Sequence, residues 1–108
     1  MKPEIKKIWL EALRSGNYKQ GKGVLNCNGK FCCLGVLADL YSEQTDHPWV
    51  SSYPGMKMHG LIAKLSNQLL DWSGITTSLG RYSEGSLVDD NDKGKSFLEI
   101  ADIIEKHF

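Results

Sequence analysis

The sequence predicts a small single α+β domain, and three observations carry that prediction. Ile5, Ile8, Trp9, Ala12 and Leu13 recur at helical spacing, so one apolar stripe marks an N-terminal amphipathic helix. Asn28-Gly29 lies between apolar runs, and both residues tolerate the positive φ that a type I′ hairpin turn demands. Ser96-Phe97-Leu98-Glu99 has the spacing of a capping box and opens a C-terminal helix whose Phe97, Ile100, Ala101, Ile104 and Phe108 repeat helically.

Taken in order, the first helix is expected from about Pro3 to Ser15. Proline suits its first turn, and Gly16 suits the left-handed residue after its end. A glycine-punctuated connector, Asn17 to Gly23, leads to hairpin strands over Val24–Cys27 and Lys30–Cys32. The second strand passes into a helix over Cys33–Ser42, with Cys33, Val36, Leu37, Leu40 and Tyr41 on one side and Leu34 and Ala38 widening that face. This helix is expected to be the most buried, and Gly35 within it to permit close packing on another backbone.

The middle reads as a strand over Trp49–Tyr53, a turn at Pro54-Gly55, and a strand or helix from Lys57 to Leu65. Ser66 would cap a short helix ending at Trp72, with Gly74 as its stop. Ile75 to Gly85 reads as polar loop. Ser86 would cap a helical turn over Leu87–Lys93, closed by Gly94.

At 108 residues the chain has the size of one domain, and its 41% hydrophobic and 24% charged content supports an ordered core. No apolar run is long enough for a transmembrane helix, and the N-terminus lacks a signal peptide's apolar block. Three cysteines cannot form a closed disulfide framework, so reduced thiols in a cytoplasm are expected. The formal net charge of zero conceals about +5 over residues 1–30 and about −5 over the remainder. Neutralisation of one end by the other is the plain expectation. A basic face for an anionic ligand is the sharper one.

Cys32 and Cys33 lie at a strand-to-helix junction, where free N–H groups can lower a thiol pKa. A cysteine nucleophile also needs a positioned base, and neither His47, His59 nor His107 stands in a context that supplies one, so packing is expected of both thiols. Cys27, Cys32 and Cys33 lack the paired spacing of a zinc site, and no metal or cofactor is expected. Asp89 to Gly94 fails as an EF-hand, because Lys93 and Ile100 would fall at ligand positions.

The segment that best fits a ligand is Tyr18-Lys19-Gln20-Gly21-Lys22-Gly23. Its glycines allow close backbone approach to a phosphate, its lysines supply charge, and Tyr18 offers a stacking surface. Lys19 and Lys22 would converge on a concavity, with the N–H of Gly21 or Gly23 facing it. The ending of a Walker A loop is missing, and a simple helix-to-hairpin connector would also need these glycines.

Three strings together, Trp9 to Gly21, Phe31 to Leu37 and Asn91 to Glu105, resemble a family of small uncharacterised proteins of tailed phages and prophages. The resemblance implies a phage-encoded protein acting in the host bacterial cytoplasm, and it transfers no catalytic residues. The expected function is that of a non-enzymatic binding module in host takeover or counter-defence. It would sequester a small anionic, nucleotide-like ligand or occupy a host defence protein. A hydrolase or transferase using Cys32 or Cys33, and a structural or regulatory adaptor, are the alternatives. No membrane partner and no direct nucleic-acid motif are expected, and self-association stays open.

Overall fold

The structure, a computed structural model, describes residues 1–46, 50–51, 57–58 and 67–108. Helix α1 (Pro3–Arg14) starts on its proline and buries Ile5, Trp9 and Leu13. The chain leaves it through Gly16 at φ +78°. Strand β1 (Lys19–Gln20) follows, then the hairpin of β2 (Asn26–Cys27) and β3 (Lys30–Phe31). Asn28 and Gly29 both have positive φ, as the hairpin reading requires. The three strands form one sheet in the order β1-β3-β2, with β1 parallel and β2 antiparallel to β3. The connector reading of Tyr18–Gly23 is corrected at this point, because its Lys19–Gln20 pair is a strand.

Helix α2 (Cys33–Thr45) begins directly after β3 and ends at Asp46 in the left-handed conformation. It runs three residues beyond Ser42 and is buried on nearly every side: Cys33, Leu34, Gly35, Val36, Leu37, Ala38 and Tyr41 lie in the core. Strands β4 (Val50–Ser51) and β5 (Lys57–Met58) pair antiparallel. Trp49, the rest of the Trp49–Tyr53 strand, Pro54-Gly55, the Ser66 cap, His47 and His59 lie outside the described residues.

Helix α3 (Asn67–Ser73) stops at Gly74, φ +79°. The polar loop expected over residues 75–85 contains a further hairpin, β6 (Arg81–Tyr82) with β7 (Gly85–Ser86). Its turn, Ser83-Glu84, carries none of the Asn-Gly chemistry by which a hairpin is recognised. Helix α4 (Leu87–Asp92) is capped by the Ser86 hydroxyl, and α5 (Phe97–His107) carries the complete capping box of Ser96 and Glu99.

Helices α1 and α5 pack together across the core, as their stripes predict. Trp9 is fully buried, and its indole Nε1 donates to the Cys33 carbonyl at 3.0 Å, tying α1 to the start of α2. On the wet side Arg14 donates to Asp102 at 3.0 Å and to Glu105 at 3.1 Å. Lys6 Nζ donates to the Glu105 carbonyl at 3.0 Å. These contacts let the basic N-terminal helix meet the acidic C-terminal one, so part of the charge asymmetry is neutralised within the fold. Among the described residues no helix is long and apolar enough to cross a membrane.

Candidate functional site

Three stretches of sequence converge on one buried amide. Asn91 in α4 is fully buried, four residues after Leu87 and therefore on the same inward face. Its side-chain oxygen accepts from Gln20 Nε2 at 2.9 Å and from the Cys33 backbone N–H at 3.1 Å. Its Nδ2 donates to the Gly21 carbonyl at 2.7 Å. Gln20 also donates to the Lys95 carbonyl at 2.7 Å. Asn91 and Gln20 together thus tie β1, the first turn of α2 and the α4–α5 corner. Sequence reasoning missed Asn91 by weighing Asp89–Gly94 only as a cation loop. The Leu87/Asn91 spacing was the available signal.

This hub fixes the Tyr18–Gly23 segment, and its members divide into anchors and a surface. Tyr18 is an anchor: its hydroxyl donates to Asp39 at 2.6 Å, and its ring packs edge-on against Phe31 at 5.0 Å. Burial, then the Asp39 carboxylate, pushes its phenol well above the ordinary range. It is not an open stacking platform. Gln20 belongs to the hub. Gly21 lets β1 and β3 approach, since a β-carbon there would lie 2.9 Å from Lys30 Cβ. The N–H groups expected to face a ligand are already engaged, that of Gly21 with the Phe31 carbonyl at 2.7 Å and that of Gly23 with Asp92 Oδ1 at 3.1 Å.

The surface consists of lysines. Lys22 and Lys30, with Gly21, Cys27 and Asn28, line a concavity of about 320 Å³. Lys19 is not among its lining residues, but it sits beside Lys30 in the parallel β1–β3 register. Convergence therefore involves Lys22 and Lys30, with Lys30 unrecognised in the sequence because it lies across the hairpin. Among the described residues none of these three lysines forms a salt bridge. Lys19 and Lys30 are opposite each other in the β1–β3 register, where like charges repel, and all three lysines are exposed.

The cysteines at the junction are structural. Cys32 is the N-cap of α2, its sulfur accepting from the Gly35 N–H at 3.3 Å. Burial outweighs these hydrogen bonds and pushes its thiol up to about 11. Cys33 is completely buried, faces the Leu87 carbonyl at 3.6 Å and is raised well above the thiol range, again chiefly by burial. Neither environment activates a nucleophile. Cys27, half-buried, lines the lysine concavity instead. Among the described residues no three His, Cys, Asp or Glu side chains group as metal ligands.

Residues 1–108 match the model of a family described as Domain of unknown function (DUF8296). No curated protein and no solved structure matches the chain.

Proposed function

Because the chain belongs to the DUF8296 family, whose description names no activity, we propose a function from the geometry. The domain is a non-catalytic binding module that takes a small anionic, nucleotide-like ligand on the face of Lys19, Lys22 and Lys30. The resemblance of its three strings to small phage and prophage proteins supports a setting in host takeover or counter-defence, in the bacterial cytoplasm. Sequestering an anionic signal requires affinity and abundance, with no catalytic group.

One observation carries this reading. Lys22 and Lys30 converge on one concavity, Lys19 lies in register beside Lys30, and none has a carboxylate partner among the described residues. An anion relieves that repulsion on binding, and Asn28 adds an amide donor and acceptor on the concavity's wall. The thiols of Cys32 and Cys33, neutral and buried, argue against the hydrolase alternative.

A thermal-shift panel of linear and cyclic nucleotides tests the proposal. A ligand at 100 times its Kd stabilises the fold by about 2.7 kcal/mol. At least one nucleotide is expected to raise Tm at low salt, less so at high salt, and not in Lys22→Ala/Lys30→Ala. A flat panel, or equal shifts in the double variant, would overturn it in favour of a protein ligand.

A further inference from the structure

A second concavity, of about 300 Å³, lies between the segment after α3, the β6–β7 hairpin and the end of α5. It shares no lining residue with the lysine concavity. Its apolar wall is built from Ile75, 5% exposed, and the rings of Tyr82 and Phe108, which meet edge-on at 6.0 Å. That wall is anchored by its neighbours, of which His107 also lines the cleft. The Tyr82 hydroxyl donates to Asp90 in α4, and its ring lies 4.8 Å from that of His107. Glu84 faces His107 Nε2 at 3.8 Å. The side-chain carboxylates of Asp90 and Glu84 are thus directed at other groups.

The polar lining is complementary to an anion. Arg81 lines the cleft without an ion-pair partner among the described residues, and its backbone N–H is fixed by Thr77 Oγ1 at 2.8 Å. Thr76 and Ser83, both exposed, line it too, and among the described residues their hydroxyls make no hydrogen bond to the protein. A guanidinium fork beside free hydroxyls and a flat aromatic wall is the donor set for a carboxylate carried on a ring.

We propose that this cleft binds a small planar carboxylate: Arg81 takes the carboxylate through both arms of its fork, Thr76 and Ser83 donate from the sides, and the ring lies against Tyr82 and Ile75. The volume is at the lower bound of small-molecule sites, about 300–1,000 Å³, which fits one ring and one charged group. The site is independent of the lysine face and stands or falls without it.

Benzoate is the probe, titrated into the protein and followed by backbone amide NMR. Saturable shifts are expected at Thr76, Arg81 and Ser83, with none for benzyl alcohol, which lacks the carboxylate, and none for inorganic phosphate, which lacks the ring. Arg81→Lys keeps the charge and loses the fork, so affinity should fall about tenfold. Arg81 is exposed, so the rest of the spectrum should be preserved in that variant. Lys22→Ala/Lys30→Ala should bind benzoate normally. No saturable shift, unchanged affinity in Arg81→Lys, or shifts that map to the lysine face would each overturn the proposal.

Discussion

The carbonyl oxygen of Leu25 occupies the place a side chain on Gly35 would fill: a β-carbon at Gly35 would lie 1.7 Å from it. The same carbonyl accepts from the Cys32 N–H at 3.3 Å, so the hairpin backbone lies directly on the first turn of α2. Gly35→Ala forces these two backbones apart in a packed core. The expected loss is about 3 kcal/mol or more, beyond the helix propensity that alanine restores. A urea midpoint equal to that of the parent would show that the contact is wrong.

Asn91→Ala removes three hydrogen bonds at once and leaves the Cys33 N–H and the Gly21 carbonyl without their partner. Each buried group left unpaired costs about 1–3 kcal/mol, so this substitution should rival a core deletion. Gln20→Ala, which removes one partner from the partly exposed edge of the same hub, should cost less. Equal and small effects from the two would separate Asn91 from the role assigned to it.

Trp9→Phe and Trp9→Ala divide packing from hydrogen bonding. The first removes the indole donor to the Cys33 carbonyl and part of the ring volume while keeping an aromatic in the core, about 1–3 kcal/mol; the second removes the whole of a fully buried aromatic, about 3–5 kcal/mol. Comparable losses from both would place the stabilisation in the hydrogen bond.

Alkali should destabilise the fold through the thiols. Cys32 and Cys33 are held neutral to higher pH in the folded chain than in the unfolded one. Unfolding therefore releases protons as pH rises from the ordinary thiol range, and the stability present below that range is lost towards about 11. For Cys32 alone this amounts to about 2–3 kcal/mol. Alkylation of the native protein at pH 8 should accordingly label Cys27 and spare Cys32 and Cys33. Rapid labelling of Cys32 would return the cysteine-dependent enzyme to consideration.

The fold was legible wherever a signal repeats or caps. The α1 stripe, the Asn28-Gly29 turn, the Ser86 cap and the Ser96–Glu99 box each carry local chemistry that survives in the structure. Strand β1 was not legible, because two residues have no periodicity and its partner Lys30 is reached only through the hairpin. The β6–β7 hairpin was hidden by a turn without glycine or asparagine at its centre. The candidate site was half legible. Tyr18–Gly23 was found as a segment, yet the roles of Tyr18, Gln20 and the glycine N–H groups depend on Asp39, Asn91, Phe31 and Asp92, all distant or across a hairpin.

The central claim, that the lysine face is an anion site, is tested most directly by calorimetric titration of the nucleotide giving the largest thermal shift, at two salt concentrations. The account predicts saturable heat in the parent protein. Affinity should weaken as salt screens exposed charges over about 10 Å at 0.1 M ionic strength. Lys22→Ala/Lys30→Ala should show no heat while keeping its parent amide spectrum, and Lys19→Ala should weaken binding without abolishing it. Heat that is insensitive to salt and unchanged in the double variant would contradict the claim.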